Sequence, residues 1–457
     1  MSKKLHLLVV FALLVGLVGA FAAQPAAAQQ PVKELTILWA EWDPATYLAE
    51  LMKDYEKEAG VKVTVKQEPW GSFMDVVSKE WAAKGTAFDL VVGDSQWLGQ
   101  AATQGHYVEL TDFLKETGLA DSVTEATLKY YAEYPAGSGR YWAFPAEGDA
   151  NGMAYRKDLF EDPDEMAAFK EKYGYDLGVP KTWAELMDIA KFFTRPDKNL
   201  YGVAIYTQKD YDAITMGFQN VMWGFGGEWA DENNDPRGAI NSPGAVQALE
   251  FYRELWTCCA PPGSSNIFFP EVNNYFISGQ VAMGMNYFAF FPALANPATN
   301  PYADVTGYFA MPAGPTGKRY AALGGQGMSI NAYLPPERIE AAKELIKWFG
   351  REDVQAKWAQ LGGYTCNKKV LASPEFLKVA PFNAAFAESM QMVKDFWNVP
   401  VYGELLEVSQ RELHAYVVGG EGTAKETLDK IAEEHYKILS AAGLIKGAAP
   451  AATETAQ

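Results

Sequence analysis

Three short apolar runs, Leu35–Ala40 (LTILWA), Val61–Val65 (VKVTV) and Phe88–Val92 (FDLVV), alternate with two amphipathic segments, and that order admits few folds. In the first amphipathic segment Tyr47, Leu48, Leu51, Met52 and Tyr55 recur at helical spacing, with Glu50, Lys53, Asp54 and Lys57 on the other face. Asp43 suits the cap of this helix, Pro44 its first turn, and Gly60 its end. Phe73, Met74, Val76, Val77 and Trp81 mark a second helix. A strand–helix–strand series of this kind predicts an α/β fold, with a mostly parallel sheet flanked by helices. Ligands of such sheets bind outside the carboxyl ends of the strands. Trp42 and Asp43 follow the first strand, and Asp94, Gln96 and Trp97 follow the third, so all five are candidate ligand contacts.

The chain has 457 residues, enough for two or three domains or one large two-lobed unit, and its 49% hydrophobic content supports a sizeable core. A formal charge of −18 argues against nucleic acid or an anionic membrane as the partner, since both reward a basic face. Lys3 and Lys4 precede an apolar run from Leu5 to Phe21, and Ala26–Ala28 offers a small-residue cleavage site. Residues 1–28 therefore read as a signal peptide. The expected location is the periplasm or the extracellular space, without a lipid anchor because no cysteine stands near the cleavage site. Residues 447–457 are rich in Ala and Thr and are expected to be disordered. Export allows one disulfide among Cys258, Cys259 and Cys366, most simply Cys366 with either member of the adjacent pair.

The stretch Tyr141–Phe160 (YWAFPAEGDANGMAYRKDLF) begins apolar, turns small, polar and acidic, and then re-enters structure. It reads as a strand, a crossing and a second strand, the point where the chain passes between lobes. Beyond it, Thr182 and Glu185 form a capping-box pattern, and strands are expected at Tyr201–Tyr206, Val281–Met285 and Gly307–Pro312.

Metalloprotease, nucleophile-elbow and P-loop motifs are missing, and the cysteines and histidines do not form a zinc set. No cofactor or metal is expected. What recurs at strand ends is an acid or amide beside an aromatic ring: Trp42 with Asp43, Asp94 to Trp97, Asp149 with Asn151, and Asn286 with Tyr287. Aromatic faces suit the apolar face of a pyranose, and carboxylates and amides suit its hydroxyls. The alternatives are a secreted glycoside hydrolase or lyase, or a receptor for a polyamine, a peptide or ferric ion.

The ordered series LTILWAEWDP, YEKEAGVKVTV, FDLVVGDSQWLG, YWAFPAEGDANGMAYRKDLF, VPKTWAELMDIAK, SGQVAMGMNYF and GTAKETLDKIAEE resembles the extracellular solute-binding proteins of carbohydrate ABC transporters, family 1, the maltose-binding-protein-like group. The resemblance implies two α/β lobes joined by about three hinge segments, placed at Pro145–Asp149, around Phe309–Pro312 and near Gly324–Ile330. It implies an N-lobe of 33–146 plus 296–325 and a C-lobe of 147–295 plus 326–440. It also implies a monomer that captures a mono- or oligosaccharide by closure, breaks no bond, and delivers the ligand to permease subunits. By position, Asp43 and Asp149 match acidic ligand contacts, while Gln96 and Trp97 stand where that family's type member has an acid and an arginine. Trp223, Tyr287 and Phe288 fall in the aromatic region of the second lobe. Gly325 and Gln326 lie in a crossing, and Tyr364 lies in the loop GGYTCNKKVL near the cleft.

Overall fold

The computed structural model of the chain describes residues 31–209, 213–395 and 398–447. The expected signal peptide and residues 448–457 lie outside the described residues. In chain order the strands are β1 (Glu34–Ala40), β2 (Lys62–Glu68), β3 (Leu90–Asp94), β4 (Phe144–Glu147), β5 (Asn151–Arg156), β6 (Tyr201–Ala204), β7 (Val281–Tyr287), β8 (Thr306–Ala310), β9 (Ala321–Ala322), β10 (Gln326–Ile330) and β11 (Val393–Lys394).

The sequence periodicity is realised in the first lobe. The helix Asp43–Ala59 buries Leu48, Leu51, Met52 and Tyr55 and ends at Gly60, whose φ of 69° suits a residue without Cβ. Each fully buried side chain of this size contributes roughly 1.5–3 kcal/mol. β2 alternates between exposed and half-buried residues, as an edge strand must, whereas the apolar residues of β3 are wholly buried at the centre. Asp43 does not cap its helix. Trp42 occupies the cap position, and Asp43 sits in the first turn.

Two sheets result, of order β2-β1-β3-β10-β4 and β6-β7-β5-β8, and β9 pairs with β11 separately. They are mixed rather than mostly parallel in their pairings, because each carries one reversed strand. β10 is antiparallel to β3 and β4, and β5 is antiparallel to β7 and β8. Both reversed strands are the first that the chain enters after crossing from the other lobe. A chain arriving at the cleft edge must run away from it, opposite to strands whose carboxyl ends face the cleft.

This direction of entry corrects the expected lobe boundaries. β8 lies beside β5 in the second sheet, so residues 296–322 belong with the second lobe, and Phe309–Pro312 is not a crossing. β10 lies beside β3, and the helix Pro336–Phe349 packs on β1 and β10, so the chain from Gln326 returns to the first lobe. Arg338 fastens that return through Nε and Nη2 to buried Asp89, at 2.6 and 2.7 Å. The crossings lie at Gly148–Ala150, at Leu323–Gly325 and around Tyr364. After the last, the helix Asn383–Ser389 packs on β5 and β8.

The expected pairing of Cys366 is also overturned. Cys258 and Cys259 are bonded to each other at the end of the helix Pro243–Cys259 in the second lobe. Cys366 is a buried free thiol whose carbonyl accepts from the Thr124 amide of the first lobe.

In the second lobe, helices Tyr402–Val417 and Ala424–Ala441 pack together, the first over Ala213–Gly224 and both against Pro243–Cys259. His435 is buried between them, with Nε2 at 2.8 Å from the Leu405 carbonyl and 3.1 Å from Ser409 Oγ. Burial pushes its pKa down to about 4, against a hydrogen bond that favours the charged form. A depressed folded-state pKa gives stability that is present above the unfolded value near 6.5 and is lost as pH falls toward 4. The loss expected from this residue is about 3 kcal/mol. Urea unfolding at pH 7 and pH 4 should therefore show a smaller acid loss in His435→Gln than in the unsubstituted protein. Equal losses would show that His435 is not the acid-sensitive group.

Candidate functional site

Between the carboxyl ends of the two sheets lies a cavity of about 420 Å³. Trp42, Trp70 and Met74 wall it from the first lobe, and Met216, Phe268, Phe269, Tyr287 and Phe290 from the second. Asp149 and Leu323–Gly325 close it at the crossings. The rings are held by one another. Trp42 lies edge-on between Trp39 and Trp70, with centroids at 5.6 and 5.4 Å, and Phe269 stacks on Phe290 at 3.9 Å. Aromatic contacts of these kinds fix ring planes as well as filling space.

The polar groups are ordered by a relay that starts in the core. Trp39 Nε1 donates to Gln326 Oε1 at 2.6 Å, which leaves the Gln326 amide nitrogen to donate to Asp94 Oδ1 at 2.5 Å. Gln96 Nε2 donates to Asp94 Oδ2 at 3.3 Å, which directs Gln96 Oε1 elsewhere. Gln96 Oε1 and Trp42 Nε1 are both buried and find no partner among the described residues. One is an acceptor and the other a donor, and both residues line the cavity.

The crossings bond to one another beneath the cavity. Gly148 N donates to the Tyr364 carbonyl at 2.6 Å, and Gly324 N to the Asp149 carbonyl at 3.2 Å. Asp149 Oδ1 accepts from the amides of Ala150 and Ala289, at 2.8 and 3.3 Å, which ties the first crossing to the turn after β7. Glu147 is fully buried and takes the Tyr364 amide on Oε2 at 3.3 Å. Burial pushes both carboxyls well above the usual range, and the charge of Asp149 adds to the effect on Glu147.

Two mixed sheets joined by several crossings around a partly open cavity form a two-lobed binding-protein architecture, and the sequence comparison decides which one. The pattern of the family described as bacterial extracellular solute-binding protein matches residues 39–356. The chain belongs to that family. The probable ABC transporter-binding protein of Deinococcus radiodurans is 28% identical over 343 residues, covering 72% of this chain and 74% of that one. Among solved structures, an ABC transporter solute-binding protein from Agrobacterium radiobacter K84 in complex with ribitol aligns with a TM-score of 0.75 at 26% identity, covering 90% of this chain and all of the other. Maltose-bound MalE3 from T. maritima aligns with the same TM-score and identity, covering 89% and 100%. The relatives are named as binding proteins, and among the described residues no helix is long and apolar enough to cross a membrane.

Of the residues singled out by sequence in this solute-binding protein, Trp42, Asp94, Gln96, Asp149, Tyr287 and Gly325 line the cavity. The others do not. Asp43 instead lines an adjoining, more open depression with Glu41, Trp42, Thr46 and Gln67, which among the described residues shares only Trp42 with the cavity. Trp97 turns into the first-lobe core against Phe73, at 5.1 Å. Trp223 lies on a wholly buried helix beside Tyr320. Asn151 Oδ1 is taken by Asn220, at 2.7 Å. Phe288 is buried and fills the space left by the missing side chain of Gly152.

Three further candidates act behind the wall. Gln326 orients Asp94, as described above. Asn286 donates to the Phe269 carbonyl at 3.0 Å and so holds a wall residue. Tyr364 Oη donates to the Phe288 carbonyl at 2.6 Å. Sequence reasoning missed Trp70, Phe268 and Phe269. Trp70 follows the carboxyl end of β2, where the strand-end rule also applies. Phe268 and Phe269 immediately precede Pro270, which marks a helix start.

Proposed function

We propose that this solute-binding protein captures a mono- or short oligosaccharide, or the corresponding polyol, between its lobes and presents it to the permease subunits of an ABC importer. One observation carries the reading: a buried, unpartnered donor (Trp42 Nε1) and a buried, unpartnered acceptor (Gln96 Oε1) in one aromatic-walled cavity. A hydroxyl group satisfies both, because it donates and accepts, and a sugar or polyol brings several hydroxyls together with an apolar face. The ribitol and maltose held by the two structural relatives are ligands of this chemistry. The volume lies toward the small end of small-molecule sites, which suits one or two sugar units.

The protein acts as an exported monomer, free of a lipid anchor, and returns its ligand unchanged. Closure is driven by contacts that only a ligand touching both Trp42 and Tyr287 can make at once.

A thermal-shift screen of sugars and polyols tests this. A true ligand present at a hundredfold over its Kd stabilises the protein by about 2.7 kcal/mol. At least one member of the panel should raise the unfolding temperature and be recovered intact. A panel without a stabilising member would overturn the sugar reading, and turnover of the ligand would show an enzyme.

A further inference from the structure

The cavity is lined by the carboxyl groups of Asp75, Asp94 and Asp149, and no lysine, arginine or histidine is among its described lining residues. Asp94 is committed to its two glutamine amides, and Asp149 Oδ1 to the backbone. Asp75 differs. It is exposed at the edge of the cavity, on the helix Trp70–Ala83, and forms no described ion pair. Gln96, which is more than nine-tenths buried, lines the same cavity and has an unpartnered acceptor oxygen. An incoming anion would meet the carboxylates of Asp75 and Asp94 and an amide oxygen, with no basic side chain among the described lining residues.

From this geometry, and resting on the sugar reading above, we infer that the site selects by charge. It admits neutral sugars and polyols and excludes their acids and phosphates, with Asp75 as the specificity-determining residue at the entrance. Like charges about 4 Å apart near a protein surface repel by about 1–4 kcal/mol at low salt, enough to separate an acid from its neutral partner by about 10-fold. The apolar wall cannot compensate, because ring faces attract cations rather than anions.

The test uses pairs that share a carbon skeleton: ribitol with ribonate, mannitol with mannonate, glucose with glucuronate, galactose with galacturonate, and maltose with maltobionate. Calorimetric titration at pH 7.5 and low salt gives the affinity ratio within each pair. In every pair whose neutral member binds, the acid should bind at least 10-fold more weakly. Asp75→Asn should narrow that ratio several-fold, and Asp75→Lys should narrow it further. Both changes are on an exposed position, and the circular dichroism of each variant checks its fold. An acid that binds within twofold of its neutral partner overturns the charge selection. A ratio unmoved by both variants overturns the assignment to Asp75. Failure of every member of every pair to bind contradicts the sugar reading instead.

Discussion

Gly325→Ala is expected to lower stability by about 3 kcal/mol and to weaken ligand binding by about 100-fold or more. A Cβ at this position would lie 1.9 Å from Tyr131 Oη and 2.2 Å from the Glu147 carbonyl oxygen. Tyr131 is fully buried, and the Glu147 carbonyl belongs to the last residue of β4, where the first crossing begins, so neither can retreat cheaply. Gly325 does not have a positive φ. The cost is therefore close approach of the second crossing to Tyr131 and the end of β4 rather than backbone strain. The clash can be relieved by shifting the second crossing, which lines the cavity, so stability and affinity should fall together. Gly403→Ala provides the comparison. It lies in the helix Tyr402–Val417 with nothing within 4 Å of its would-be Cβ, and stability should be unchanged or slightly raised. Thermal denaturation and sugar titration of the two variants decide the matter. A Gly325→Ala protein as stable as Gly403→Ala would show that the second crossing is not in tight contact there.

Asp149→Ala is expected to lower stability by about 2–4 kcal/mol, because the buried amides of Ala150 and Ala289 each lose their acceptor. Asp149→Asn keeps an acceptor oxygen in the same place and should recover most of that loss. The pH dependence follows from burial, which raises the folded-state pKa of this carboxyl. A raised pKa gives stability that is fully present below the unfolded value and is lost as pH rises through the folded value. The unsubstituted protein should therefore weaken on going from mildly acidic to alkaline pH, and Asp149→Asn should flatten that decline. Urea midpoints across the range measure it. An identical slope in Asp149→Asn would assign the effect to Glu147, whose carboxyl shifts in the same direction.

The first lobe was legible because its signals are local. Leu48, Leu51, Met52 and Tyr55 repeat at helical spacing whatever surrounds them, and the βαβ order sets the sheet. A crossing near Pro145–Asp149 was expected from small polar residues between two apolar strands, but Pro145–Glu147 belong to β4 and the chain leaves the sheet only at Gly148. The ownership of β8 and β10 was not legible. Each is a short apolar strand near Gly or Pro, and which sheet it joins depends on partners more than 100 residues away. The cysteines failed similarly, since Cys366 is placed by the hinge and not by its distance along the chain from Cys258.

Side-chain direction was the hardest part of the site to read. Gln96 and Trp97 are neighbours in one tight turn, yet Gln96 reaches the cavity and Trp97 the core. Gln326 is a strand residue that looks like a ligand contact, but its amide is spent between Trp39 and Asp94. Of the residues in the central motif, Asp149 both lines the cavity and ties the first crossing to the turn after β7. In the proposed reading, a ligand held at Asp149 therefore couples to lobe closure through a few adjacent residues, without a longer path.

The central claim is that a sugar or polyol binds in the cavity between Trp42 and Tyr287. Calorimetric titration of the sugar found in the thermal screen, with the unsubstituted protein and with Trp42→Ala, tests it most directly. The expected result is one site per chain, weakened by about 1–3 kcal/mol, or roughly 5- to 150-fold, in the variant that has lost both a ring face and the Nε1 donor. Equal affinity in the two proteins would place the ligand elsewhere and contradict the claim.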